Sequence, residues 1–362
     1  MSAPRLGKST GALLSAGMGL GRTLKAVVVG SALAGSAALS LLSGAAPAVA
    51  GDAPPVVVIY STGHHPQVGL HLVARHPGVR GGVLVSAAQG IQGFPSASVD
   101  GRVIAYVLVR KDRHSALSYS TIIRKDGVVV RRVAGTASPL GVLIPTVNEA
   151  GTKVVLGGDQ GLRVYDVASN RIHPLCPNCP EMTSVTRASL SPDGRKVAII
   201  RKINGTEYVE IRRLDTGRRM AIAEASLLAY SAAWNPASDT VAFSTVSAVD
   251  PQTSGEVHTL TVSGVESTTA FVGHGSGSLQ EIYLSAAWVN GQVWAVKINY
   301  SVTDDPATGQ PTGSLRAQVV TAADWTATPI AVGEPLYDGP QFWRLELLGF
   351  VGWASALPAP AH

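Results

Sequence analysis

Leu190-Ser191-Pro192-Asp193-Gly194-Arg195-Lys196-Val197-Ala198-Ile199-Ile200 reads as a turn followed by a strand. Pro192 presets φ for a turn, Asp193-Gly194 is a tight-turn dipeptide, and Val197 to Ile200 is a short apolar run of β-formers. Further on, Val209-Glu210-Ile211-Arg212-Arg213-Leu214-Asp215-Thr216-Gly217 gives a second strand that ends in another turn. The same order of strand, turn and strand recurs along the chain. The related phrases are Ser96-Ala97-Ser98-Val99-Asp100-Gly101, Pro145-Thr146-Val147-Asn148-Glu149-Ala150-Gly151, Ala232-Ala233-Trp234-Asn235-Pro236 and Ala286-Ala287-Trp288-Val289-Asn290-Gly291. A last copy, Phe350-Val351-Gly352-Trp353, has no strand after it.

One apolar position aligns through all copies: Val99, Val147, Leu190, Trp234, Trp288 and Trp353, spaced 48, 43, 44, 54 and 65 residues apart. A period of roughly 40 to 50 residues with about four strands per unit is the signature of a β-propeller. With strands lettered a to d from the axis outward, the b strands are expected at 56–60, 103–109, 153–156, 196–200, 240–244 and 292–297. The c strands are expected at 69–75, 120–124, 162–167, 209–214, 257–262 and 315–321. Both sets predict an all-β, six-bladed propeller. Its first blade takes b, c and d (near 82–87) from the N-terminal side and a from residues 347–353, so that the two ends of the chain close the ring and leave no open edge between them. A β-sandwich is the competing all-β reading, and the repeated order of phrases argues against it.

The first 50 residues read differently. Arg5, Lys8, Arg22 and Lys25 precede an apolar run over 26–42, followed by small residues ending in Ala48-Val49-Ala50. A basic segment, an apolar segment and an A-x-A site predict a secretory signal peptide over 1–50, with cleavage after Ala50 and the propeller over 51–362. The apolar run is short and rich in Gly, Ala and Ser for a membrane span. No Arg-Arg pair marks a twin-arginine signal, and no Cys stands at the cleavage site for a lipid anchor. The segment holds four of the 29 Lys/Arg and none of the 24 Asp/Glu, so the remainder is nearly neutral and carries no long basic run for nucleic acid.

The phrases SPDGRKVAII and VEIRRLDTG resemble the TolB-type propeller repeat and look like the propeller half of prolyl-oligopeptidase-like enzymes. The resemblance is strongest over 184–245 and runs over most of 92–335. It implies the propeller fold. TolB proteins carry an additional N-terminal α/β domain, which is expected to be absent because only 51–55 precede the first strand, so a Tol–Pal role is not implied. Nor is peptidase chemistry, since the chain has no G-x-S-x-G phrase.

Strand alternation sorts the connections. The a–b and c–d turns share one rim, and the b–c and d–a loops share the other. Long polar insertions are expected on the second rim at 61–68, 111–119, 246–256 and 300–314. They bring His64, His65, Asp112, His114, Asp304 and Asp305, together with the d–a loop of Cys176 and Cys179. Function on rigid scaffolds concentrates in such loops, although loop length is also tolerated for its own sake. Arg187, Tyr230, Glu281 and Tyr283 lie at the loop-side starts of a strands, where they could border the channel mouth and touch a small ligand.

Cys176-Pro177-Asn178-Cys179 suits a local structural disulfide better than a redox or metal site. No helix pattern follows to lower a thiol pKa, and His173 is the nearest further soft ligand. The histidines have no metal-ligand spacing, so no metal or cofactor is expected. The aligned tryptophans read as packing between blades, ahead of a sugar platform. Asn204-Gly205-Thr206 and Asn299-Tyr300-Ser301 match the glycosylation pattern and are given no role.

Two functions stand open. One is a secreted or envelope-bound, non-catalytic binding or scaffolding propeller working through its long-loop rim. The other is a propeller enzyme, such as a lyase, lactonase or glycoside hydrolase, with acidic residues at the channel mouth. The absence of a nucleophile or metal motif favours the first. The partner expected is a protein, peptide or glycan at the cell envelope, met by a monomeric ring with no membrane span once the signal is removed.

Overall fold

The structure, a computed structural model, describes residues 56–62, 71–79, 81–86, 88–111, 117–134, 144–156, 162–179, 185–225, 228–249, 252–272, 275–276, 279–304, 311–321, 327–330, 337–338 and 351–360. The segment 1–50 assigned to the signal lies outside them. The described chain is a six-bladed β-propeller, with every regular element a strand.

Blade I pairs Gly352–Ala354, Val57–Thr62, His71–Arg75 and Val83–Ser86 in that order. Blade II is Ile91–Ala97, Val103–Lys111, Leu117–Lys125 and Val128–Ala134. Blade III is the smallest, with Thr146–Val147, Lys153–Leu156, Arg163–Asp166 and Arg171–Pro174. Blade IV is Val185–Leu190, Lys196–Ile203, Thr206–Arg213 and Arg219–Glu224. Blade V is Leu228–Trp234, Thr240–Val249, Gln252–Thr261 and Glu266–Val272. Blade VI is Leu279–Val289, Gln292–Asp304, Pro311–Thr321 and Thr328–Pro329, with the short strands Gly275–Ser276 and Tyr337–Asp338 added to it.

The ring closes through blade I, where Val57, Val58 and Ile59 face Ala354, Trp353 and Gly352. Closure therefore falls where the repeat places it, a few residues further along than 347–353, of which 347–350 lie outside the described residues.

The organising turn recurs with the same bonds. In blade IV the Ser191 N–H donates to the Lys196 carbonyl at 3.0 Å, and the Gly194 N–H to the Ser191 carbonyl at 2.9 Å. Ser98 and Val103 in blade II, Asn148 and Lys153 in blade III, and Asn235 and Thr240 in blade V close the same loop at 2.9 Å. Each loop holds one left-handed residue, Gly101, Gly151, Gly194 or Ser238, with φ from 60° to 70°. Glycine has no Cβ to clash there, so the repeat conserves the backbone shape more than the letters. Blade VI uses a different device: Asn290-Gly291 has φ of 53° and 76° at both central positions, the requirement of a two-residue type I′ hairpin.

The core is built of seams. The six apolar clusters each straddle one pair of neighbouring blades, as in the packing of Ile200, Val209 and Ile211 of blade IV against Trp234, Val241 and Phe243 of blade V. Trp234 also donates its indole N–H to the Ser189 carbonyl of blade IV, and Trp353 donates to the Ser285 carbonyl of blade VI, both at 2.9 Å. The aligned tryptophan position thus fastens one blade to the one before it. Trp288 packs into the seam between blades V and VI.

Two of the expected long loops are corrected. Residues 246–256 and 300–314 are mostly strand: Val249 pairs with Gln252, and Asp304 with Pro311. Continued pairing satisfies the backbone groups of these polar stretches, which a loop would leave to water. Residues 250–251 and 305–310 between these strands lie outside the described residues.

Candidate functional site

The a strands line a central cavity of about 160 Å³. Its wall runs from Arg187, near the d–a end of its strand, to Pro192, Asn148 and Val99 in the a–b turns. Small side chains dominate it: Ala97, Ala188, Ala232, Ala233, Ala286 and Ala287 stand between Ser96, Ser189, Ser231 and Ser285. Three residues before the aligned apolar position, blades II, V and VI place Ser96, Ser231 and Ser285, and blade IV places Arg187. Arg187 is 7 % exposed and is the one cationic residue in the described wall. Glu149, exposed in the turn of blade III, is the one carboxylate there.

Irregular backbone shapes this wall. The a strands of blades II, IV, V and VI each shift register against their b strands, between Gly93 and Ser96, Val185 and Arg187, Ala229 and Ser231, and Leu284 and Ala287. Such bulges re-aim side chains. Two of them hold non-glycine residues in the left-handed region, Phe94 at 53° and Ser285 at 51°, and both line the cavity. The Ser96 hydroxyl accepts from the Val147 N–H at 2.9 Å, which ties blade II to blade III.

Behind Arg187 lies Glu207, 5 % exposed, on the c strand of blade IV. Its carboxylate accepts from the Ala229 N–H at 2.6 Å and so holds the start of the neighbouring a strand beside the bulge. Burial pushes the Glu207 carboxyl above its ordinary value, against the pull of that hydrogen bond and of the positive charges on Arg187 and Lys202.

The sequence candidates separate here. Arg187 lines the cavity as expected. Tyr283 does not: it is 6 % exposed and packs with Ala242, Val257 and Val320 in the seam between blades V and VI, with Lys297 Nζ 5.8 Å from its ring centre. Alternation along the strand turns it away from the axis. Tyr230 and Glu281 sit in a strands and Asp304 ends a b strand, but their side chains lie outside the described set. His64, His65, Asp112, His114 and Asp305 lie outside the described residues altogether.

Cys176 and Cys179 form a disulfide. The turn they close is docked on the Asp-Thr-Gly turn of blade IV. Asn178 donates from Nδ2 to the Asp215 carbonyl at 2.7 Å, and Cys179 and Leu214 pack in one seam cluster. The Cys turn therefore braces blades III and IV at their outer edge, where the sequence placed it among the recognition loops. Under it, the fully buried Glu210 accepts from Arg201 and Arg212, each at 2.8 Å, and Arg212 also donates to the Gly217 carbonyl at 2.9 Å.

Sequence reasoning missed the serine wall and Glu207. The wall was readable as the position three before the aligned apolar residue. Glu207 has no such signal, because its role depends on a neighbouring blade.

No family profile matches the chain, and no curated protein matches it. Among solved structures, TolB from Acinetobacter baumannii is similar at 14 % identity and a TM-score of 0.50, over 84 % of this chain and 67 % of that one. The β-propeller domain of the Trilobed protease from Pyrococcus furiosus is similar at 13 % identity, TM-score 0.39, over 67 % and 86 %. Pyrococcus horikoshii acylaminoacyl peptidase is similar at 10 % identity, TM-score 0.38, over 65 % and 52 %. The likeness to TolB is one of fold: the chain shares the β-propeller architecture. Among the described residues, no helix is long and apolar enough to cross a membrane.

Proposed function

We propose that this chain is exported by the signal at 1–50 and acts as a non-catalytic binding or scaffolding propeller in an extracytoplasmic compartment. It holds a protein, peptide or glycan at the b–c and d–a rim and the channel mouth beneath it. The observation that carries the reading is Arg187. It stands where blades II, V and VI have serine and blade III has Ile144, and it sits at the end of the cavity nearest that rim. A guanidinium in a wall of small side chains and hydroxyls, with the buried Glu207 behind it, suits an anionic or carbonyl-rich group. Glycoside chemistry asks for a pair of carboxylates, and the described wall offers Glu149 alone.

The test is photo-crosslinking in the native envelope, with the crosslinker at Ser231 in the channel or at Gly194 in a turn. Capture from Ser231, lost in a folded Arg187→Gln variant, supports the reading. Capture from Gly194 alone overturns the assignment of the rim. Turnover of a glycoside, lactone or uronate substrate that vanishes in Glu149→Gln overturns the non-catalytic role. N-terminal sequencing of the exported protein is expected to start at or near Gly51.

A further inference from the structure

Charge is divided between the two sides of the ring. Residues 91–225, which build blades II to IV, carry 20 Lys/Arg and 12 Asp/Glu, a net charge of +8. Residues 226–338, which build blades V and VI, carry 2 and 10, a net charge of −8. The two lobes cancel in the whole-chain total but not in the field around the molecule.

Each lobe has an exposed apolar corner. In blade II the c–d turn at Lys125-Asp126-Gly127 leads into Val128, Val129 and Val130, exposed by 56 %, 48 % and 37 %. Arg131 and the exposed Arg132 follow directly. Asp126 is neutralised by Arg102 at 2.8 Å, which leaves this corner basic. In blade V the c–d turn carries Val265, exposed by 61 %, beside the exposed Glu266, with the exposed Asp239 in the adjoining a–b turn, where its carbonyl accepts from the Val262 N–H at 2.8 Å. Single exposed valines are ordinary, but three in a row beside two arginines are not. The two corners are complementary: apolar and basic on one, apolar and acidic on the other.

The ring fixes how they can meet. Blades II and V are three apart in six, so their corners lie at opposite ends of a diameter, both at c–d turns on the same rim. A contact between corner V of one copy and corner II of the next is heterologous, and patches that point in opposite directions repeat without closing. The outer strand of blade II has a register shift opposite Ile123 and Arg124, which puts a bulge at Val130. Bulges and edge arginines block added strands, so the contact is made by side chains.

We propose that these two corners join copies of this chain head to tail. The protein is then a monomer in dilute solution, as expected from its sequence, and a linear string when concentrated. The contact does not depend on the channel reading above.

Sedimentation velocity over a concentration series tests it. At low ionic strength the weight-average sedimentation coefficient of the wild type should rise with concentration. The rise should vanish at about 1 M salt, where the screening length falls to about 3 Å. Arg132→Glu and Glu266→Arg should each remove it. An equimolar mixture of the two variants should restore it, because every contact in a mixed string then pairs unlike charges. Recovery on mixing also shows that both variants are folded. Val265→Ser, which removes the apolar contact at an exposed side chain without adding charge, should weaken association as well. A coefficient independent of concentration in the wild type overturns the proposal, as does association unchanged in either charge variant or failure of the mixture to recover. Retention on a sulfated polymer without self-association would give the basic lobe to a polyanion and overturn it equally.

Discussion

Trp353→Ala tests whether the ring is one cooperative unit held shut by its last strand. Trp353 is 9 % exposed, sits opposite Val58 in the closing strand pair, and packs with Val58, Tyr60, Leu284 and Val296 across the seam between blades VI and I. Its indole N–H donates to the Ser285 carbonyl at 2.9 Å. Truncating a buried tryptophan to alanine costs about 3–5 kcal/mol. Most globular domains have only about 5–15 kcal/mol of stability in all. With a urea dependence of about 3 kcal/mol per M, suited to a chain of this size, the midpoint should fall by about 1 M or more. Trp353→Phe keeps most of the packing and loses the hydrogen bond, about 1 kcal/mol, for a fall of about 0.3 M. Urea unfolding is followed by tryptophan fluorescence and far-UV circular dichroism, with five other tryptophans still reporting. The two probes should move together in one transition. If Trp353→Ala shifts the midpoint no more than Trp353→Phe does, the closing strand is not what holds the ring.

Three further outcomes are expected. Gly217 has φ of +67°, and a Cβ there would run into the Asn178 carbonyl of the Cys turn, so Gly217→Ala should destabilise by about 2 kcal/mol, more than Cys176→Ser/Cys179→Ser, which closes a very short loop; thermal melts of the two variants decide the order. Burial raises the Asp193 carboxyl, but hydrogen bonds from Lys196, Ser191 and the Arg195 N–H bring it down to about 2. Its contribution is therefore present above about pH 4, the ordinary carboxylate value, and is lost as pH falls toward 2. Asp193→Asn should lower the melting temperature at pH 7 and not at pH 2, by the equivalent of about 1 kcal/mol or less, since the side chain is 35 % exposed. Glu207 is shifted the other way, so its ionisation opposes folding increasingly as pH rises above about 4.3. Glu207→Gln, whose amide oxygen still accepts from Ala229, should raise the melting temperature at pH 7 and leave it unchanged near pH 4.

The repeat was legible because its turn is a local matter. Asp193-Gly194 and Asn290-Gly291 announce themselves by the backbone they require, and Val197 to Ile200 by its β-formers. Blade count and closure followed from order alone. Loop against strand was harder at 246–256 and 300–314, because these polar stretches lack the apolar alternation that marks a strand in sequence. The site was half readable. Arg187 was found because a strand start near the axis is a fair place to look. Tyr283, by the same reasoning, was misplaced into the channel, since a one-residue change of parity sends a side chain from axis to seam and the bulge at Ser285 intervenes. Glu207 and the docked Cys turn act across blade boundaries, and a single sequence carries no sign of which blade will be adjacent in space.

The closing strand also sets an order of events. Ser355 Oγ reaches the Val99 carbonyl at 2.8 Å across a separation of 256 residues. The partners in blade I are the first strand of the ring to leave the ribosome and the last. While the other five blades emerge, Val57–Thr62 waits with one edge bare, and its full complement of partners exists only after Ala354 has been made. The first blade begun is therefore the last one finished. Pairing over so long a span is slow, because the chain must close a loop of nearly its whole length before the contact is rewarded. The interval before that contact is when a nascent ring is most open to pairing with the wrong strand.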